Sequence, residues 1–173
     1  MRAPKRCSTA ALAGAEVARL LVVRHGPAED PRPGRADGDR SLTEEGRARC
    51  RTVFQGLLAR ISCPRILLAS PYLRAQQTAG LLAKAWVGGN PEMEYWPELV
   101  PSGSAPLVEM ALRARLEGLS RDEGLALVTH QPLVSDLVSH LAGHQVAFPP
   151  AGWALLAYER GGFRLLESSG DRP

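Results

Sequence analysis

Three short runs of consecutive apolar residues stand out along the chain: Leu20-Leu21-Val22-Val23, Ile66-Leu67-Leu68-Ala69 introduced by Arg65, and Leu125-Ala126-Leu127-Val128. None alternates with polar residues and none is long enough for a helix, so each reads as a strand covered on both faces of a parallel sheet. Between them the apolar spacing becomes helical. Ser41 and Glu44 stand at capping-box spacing, with Thr43 an alternative cap, and a helix with Val53, Leu57, Leu58 and Ile61 on one side is predicted to about Arg60. Ser70 followed by Pro71 reads as an N-cap with proline at the first helical position, opening a helix to about Trp86. Ser104 to Leu119 carries Val108, Leu112 and Leu116 on one face, and Pro132 to Leu141 carries Leu133 and Leu137. Trp153–Tyr158 and Phe163–Glu167 flank Gly161-Gly162 and read as a strand pair at a sheet edge.

Strands alternating with helices predict an α/β fold, a three-layer α/β/α sandwich with a mostly parallel central sheet. A chain of 173 residues fits a single domain, placed at 19–168. Residues 1–18 are expected to be a poorly ordered N-terminal extension and 169–173 a C-terminal tail. The basic start and the run Ala10 to Ala15, broken by Glu16, make too weak an apolar stretch for a signal peptide. Repeats, low-complexity tracts and linkers are absent from the sequence.

Composition narrows the class. Apolar residues make up 45% and charged residues 23% of the chain, the balance of a soluble globular protein, and no apolar run is long enough to span a bilayer. No membrane association is expected. The net charge is +3, carried mostly by arginine, with lysine only at Lys5 and Lys84. Basic residues are scattered among acids with no interleaved aromatic stripe, which argues against nucleic-acid binding. Cys7, Cys50 and Cys63 form no close pair and suit a reducing cytoplasm better than a disulfide framework. His140 and His144 have the spacing of a metal pair, but Gly143 falls between them and no third ligand accompanies them. No metal or other cofactor is expected.

Each predicted inner strand runs into a polar cluster: Arg24-His25-Gly26, then Ser70-Pro71 with Arg74 a turn later, then Thr129-His130. In a parallel α/β sheet ligands bind beyond the carboxyl ends of the strands. The Gly, Pro, Asp and Arg-rich loop Pro27 to Arg40 is expected at the same edge. Two guanidinium forks and two imidazoles converging there make an anion pocket. Neutral His25 is a candidate nucleophile toward phosphorus. Arginine forks supply the charge neutralisation that phosphoryl transfer needs. Gly26 is expected to let the backbone leave the strand at an unusual angle and approach a bound substrate closely, and the helix near Pro71 to lend its N-terminal amides.

With these segments in order, the sequence resembles the histidine phosphatase superfamily, of phosphoglycerate mutase-like fold. The match lies in Arg24-His25-Gly26, Arg40-Ser41-Leu42-Thr43-x-x-Gly46, Ser70-Pro71-Tyr72-Leu73-Arg74-Ala75-x-x-Thr78-Ala79 and Val128-Thr129-His130. Its compactness is most similar to the SixA-type phosphohistidine phosphatases. The resemblance implies that His25 becomes phosphorylated, that Arg24 and Arg74 bind phosphoryl oxygens, and that His130 hydrogen-bonds the same group. Arg40 is either a secondary phosphate or entrance residue or a solvated loop arginine. Phosphomonoesterases of the superfamily carry an acid in a Leu-x-Glu pattern, which here reads Leu99-Val100-Pro101. Glu98, beside a strand end, is the candidate replacement. A missing acid harms hydrolysis of an alkyl phosphate more than that of a labile P–N bond.

The expected partner is therefore a phosphohistidine protein, with inorganic phosphate as product. The alternatives are a small phosphorylated substrate, handled by a phosphomonoesterase or mutase of the same superfamily, and a non-catalytic phospho-binding regulatory module.

Overall fold

The computed structural model describes residues 18–120, 123–159 and 162–170. Apart from Ala18, the expected N-terminal extension lies outside them, as do Cys7, Gly161 and the last residues of the tail. Six strands and four helices follow in the order β1 (Ala18–Arg24), α1 (Glu44–Leu57), β2 (Ile66–Ala69), α2 (Leu73–Ala85), β3 (Glu92–Tyr95), α3 (Ala105–Glu117), β4 (Gly124–Thr129), α4 (Leu133–Ala142), β5 (Trp153–Glu159) and β6 (Gly162–Ser168). Short 3-10 turns occupy Asp37–Asp39 and Pro97–Leu99. The sheet order is β3-β2-β4-β1-β5-β6. The first four strands are parallel, while β5 and β6 are antiparallel additions at one edge.

The unbroken apolar runs are explained by burial on both faces. Leu20, Val22, Ile66, Leu68, Leu125 and Leu127 pack with the buried faces of α3 and α4. Their neighbours Leu21, Val23, Leu67, Ala69, Ala126 and Val128 pack with α1 and α2. Alternate strand residues point to opposite sheet faces, so one run feeds two cores. Each fully buried Leu or Val contributes about 1.5–3 kcal/mol of apolar transfer energy, and β4 and β1 hold the middle of the sheet.

The structure decides between the two caps offered for the first helix, moves the start of the second and adds a strand. The cap of α1 is Thr43, whose hydroxyl accepts from the Gly46 amide at 2.9 Å. The close fit of Gly46 has its own reason, since a Cβ there would lie 2.0 Å from the Pro27 carbonyl oxygen. The second helix begins at Leu73 with Tyr72 as N-cap, so Ser70-Pro71 is a turn before the helix rather than its start. A fourth parallel strand, β3, extends the sheet beyond β2, and α4 ends on the left-handed Gly143. His140 Nε2 lies 2.7 Å from Glu109 Oε2, tying α4 to α3. Among the described residues no helix is long and apolar enough to cross a membrane, and no cluster of His, Cys, Asp and Glu is arranged to hold a metal ion.

The capping geometry makes a clean prediction. Thr43→Ala removes an amide acceptor and should lower stability by about 1 kcal/mol in urea denaturation. Ser41→Ala, which removes a hydroxyl that bonds to none of the described residues, should change it by less than about 0.5 kcal/mol. Equal losses in the two variants would assign the cap wrongly.

Candidate active site

The site is built at the carboxyl ends of β1, β2 and β4. Arg24 pairs in register with Thr129, and the His25 amide donates to the Thr129 carbonyl at 3.0 Å. His25 and His130 are thus the first residues past two adjacent strands. Both continue the residue series that faces α1 and α2. Their ring centroids lie 4.9 Å apart, about the spacing of neighbouring strands. The other side of His25 is fixed by the 143–152 loop, where Gly152 O accepts from Arg24 N at 2.8 Å and Ala151 N donates to His25 O at 3.0 Å.

Arg74, on the first turn of α2, is buried and points back at this edge. Its Nε lies 3.3 Å from His25 Nε2. Its terminal nitrogens donate to Asp37, NH1 to the main-chain oxygen at 2.7 Å and NH2 to Oδ2 at 2.8 Å. Arg24 leaves the opposite sheet face, where its NH1 donates to Phe148 O at 2.7 Å. Its Nε is buried without a hydrogen-bond partner, as is Nδ1 of His130. A buried polar group without a protein partner costs about 1–3 kcal/mol unless water or a ligand meets it.

His25 Nδ1 donates to Gly26 O at 2.7 Å. That bond puts the proton on Nδ1 and leaves the Nε2 lone pair facing Arg74. His130 Nε2 meets Ser70 Oγ at 2.8 Å. With the serine hydroxyl as donor, His130 Nδ1 carries that ring's proton. Around His25 the arrangement thus gathers an imidazole nitrogen with its lone pair available, the Nε edge of the Arg74 guanidinium and the His130 ring, with the Arg24 charge acting from the opposite sheet face.

The other candidates fall differently. The backbone of Gly26 does not take a positive φ. Glycine is needed there because a Cβ would lie 2.5 Å from Cys50 Sγ and 3.2 Å from Gly46 O. Arg40 is bonded to Asp37 Oδ1 and to Glu29 O, and its charge acts on both histidine rings. Glu98 is exposed on the turn after β3 and its carboxylate bonds to none of the described residues. A cleft of about 310 Å³ between α1 and the 149–153 loop contains none of the converging side chains.

Comparison with known proteins agrees with this geometry. Residues 20–100 match the Histidine phosphatase superfamily (branch 1). An uncharacterised protein of Picosynechococcus sp. is 37% identical over 142 residues, 77% of this chain and 81% of that one. The phosphohistidine phosphatase SixA homolog of Haemophilus influenzae is 30% identical over 151 residues, covering 81% of this chain and 88% of the relative. The structure of the protein histidine phosphatase SixA complexed with tungstate superposes with a TM-score of 0.78 at 27% identity, over 87% of this chain and 95% of that one. The chain belongs to the histidine phosphatase superfamily. It is a hydrolase acting on phosphoryl groups, on the phosphoglycerate mutase-like fold.

In this histidine phosphatase, three neighbours of the site were not singled out by sequence. Ser70 was read as a cap but braces His130. Thr78 Oγ1 accepts from Gly26 N at 3.1 Å and donates to Arg74 O at 2.7 Å, joining the two halves of the site. Thr78 and Ser70 both lie within the matching segment, so its unexplained polar positions were the available signal. Asp37 had no signal beyond its place in an acidic, arginine-rich loop.

Burial, opposed by the Gly26 bond and reinforced by Arg74, Arg24 and Arg40, lowers the His25 pKa to about 4. Burial, then the neighbouring His25 and Arg74, lowers that of His130 to about 3. An unfolded histidine takes up its proton near pH 6.5. Between about pH 6.5 and these folded values the unfolded chain binds more protons, so stability falls as the pH falls through that window. Above it the two rings exact no penalty. Neither ring should titrate near pH 6.5 by NMR, and His130→Asn should flatten the pH dependence of the urea midpoint between about pH 4 and 6.5. A ring titrating near its ordinary value would contradict the neutral pair.

Proposed function

We propose that this chain is a SixA-type phosphatase that takes a phosphoryl group from a histidine of another protein onto its own His25 and then passes it to water. The observation that carries the reading is the His25 ring, with Nδ1 held by Gly26 O and Nε2 3.3 Å from the Nε of buried Arg74, beside the His130 ring at 4.9 Å.

In the first step Nε2 of His25 attacks phosphorus in line, forming a P–N bond as the substrate's own P–N bond breaks. The electron pair of that bond leaves with the substrate imidazole, and the new phosphoimidazolium on His25 keeps its Nδ1–H on Gly26 O. Arg24 and Arg74 neutralise the equatorial oxygens, and His130 Nδ1–H donates to one of them. Water then attacks the same phosphorus, His25 departs as neutral imidazole, and inorganic phosphate is released. Hydrolysis of the intermediate returns the enzyme to its starting form.

Two things favour a phosphohistidine over an alkyl phosphate. Glu98, the candidate replacement for the superfamily's acid, is exposed and its carboxylate bonds to none of the described residues, so it is not held in place beside an alkoxide leaving group. An imidazole that already carries a proton on its distal nitrogen leaves without one. The relatives point the same way, since one is a phosphohistidine phosphatase homolog and another is a SixA holding tungstate, a tetrahedral oxyanion. Arg40 acts in this scheme through Asp37 rather than on phosphate. The residues of the site supply the charge that a metal would otherwise bring, and none is assigned to one.

His25→Ala should abolish turnover, and Arg74→Ala should lower it about 10²–10³-fold, the usual effect of losing a donor aimed at developing charge. Rapid quench of wild type with a labelled phosphohistidine protein should trap phosphate that is acid-labile and alkali-stable on His25. Activity should survive EDTA. Assay against a panel of phosphate monoesters checks the substrate class: brisk turnover of monoesters alone would sink the phosphohistidine reading, and label retained in His25→Ala would sink the mechanism.

A further inference from the structure

Arg74 is nearly fully buried, at 3% side-chain exposure, and its guanidinium is held by one residue of the 27–40 loop. Asp37 accepts from both terminal nitrogens, through its main-chain oxygen at 2.7 Å and through Oδ2 at 2.8 Å. Its other carboxylate oxygen accepts from Arg40, whose Nε is at 2.8 Å and NH2 at 2.7 Å. Arg40 is anchored in turn on Glu29 O at 2.6 Å. Asp37 thus grips the end of the Arg74 fork and leaves its side edge, Nε–H with the second N–H of NH2, turned toward His25 Nε2.

We propose that Asp37 is a positioning residue for catalysis, which clamps Arg74 end-on so that its side edge meets the phosphoryl oxygens in line with His25. The argument is geometric and electrostatic. A guanidinium presents donors on more than one edge, and a carboxylate paired with one edge fixes the plane of the rest. Two acceptor oxygens of one residue, 2.7 and 2.8 Å from separate terminal nitrogens of Arg74, set the plane of the fork. The Asp37 carboxylate is itself half exposed at 48%, which makes it a poor contributor to the core and points to a local role. Its ionised form is secured despite partial burial, because the bonds from Arg74 and Arg40 outweigh the desolvation that opposes them. Gly38, next in the turn, lies against the Tyr72 ring, with the nearest ring carbon 3.5 Å from where its Cβ would stand. That contact seats the whole turn on the start of α2.

Misplacing a phosphoryl-binding group by about 1 Å can cost about 10²-fold in rate. Asp37→Ala should therefore lower kcat by at least about tenfold while KM and the thermal midpoint move little. Asp37→Asn, which keeps an acceptor oxygen for Arg74, should recover most of that kcat. Both ratios are read on whichever of a phosphohistidine protein and p-nitrophenyl phosphate the wild type turns over, so failure of the phosphohistidine reading leaves this test intact. A kcat in Asp37→Ala within twofold of wild type would overturn the proposal. So would an Asp37→Asn variant as impaired as Asp37→Ala, which would assign the effect to charge, or losses that track a falling thermal midpoint.

Discussion

The parallel register of β1 against β4 is the constraint on which the site depends. With Arg24 opposite Thr129, the chain positions that follow, His25 and His130, leave neighbouring strands at the same height and on the same face. A slip of one residue would turn one imidazole to the α3/α4 side and put Arg24 or Thr129 in its place. The register is not set by the histidines themselves. It is set by Leu20, Val22, Leu125 and Leu127 on one face and Leu21, Val23, Ala126 and Val128 on the other, all buried. Packing in the two cores thus decides the distance between two polar rings outside both.

Much of this was legible in the sequence because the information was local. Unbroken apolar runs ending in Arg or His named the inner strands and the side chains at their ends. The edge strand β3 was harder to bound, since Glu92-Met93-Glu94-Tyr95 pairs only with β2 and stays largely exposed, with no apolar run to announce it. Ser70 misled because serine before proline is a good cap signature, yet its hydroxyl was already committed to His130, sixty residues away in sequence. The reason for Gly26 was also nonlocal: its missing side chain makes room for Cys50 of α1, a contact that no dipeptide rule contains. Asp37 was hidden among Glu29, Asp30 and Asp39, and only the folded position of Arg74 distinguishes it from them.

Charge in the site is balanced by separation of tasks. Burial and the surrounding guanidinium groups hold the pKa of both imidazoles well below the ordinary histidine value and so favour their neutral forms. The guanidinium groups remain the cations, one bonded to a backbone carbonyl and the other to a carboxylate. Thr78 couples these parts mechanically, since one hydroxyl bonds both the exit of β1 and the first turn of α2.

The backbone around His25 is bracketed on two sides, by Thr129 of the central sheet and by Ala151 and Gly152 of the long loop before β5. Ala151 holds a left-handed φ of 63° to make its bond, a conformation that costs a non-glycine residue about 1–3 kcal/mol. A segment stitched this way leaves its main chain almost no play. The direction in which the His25 ring leaves the backbone is therefore laid down when the polypeptide folds, by bonds to two separate segments of the chain.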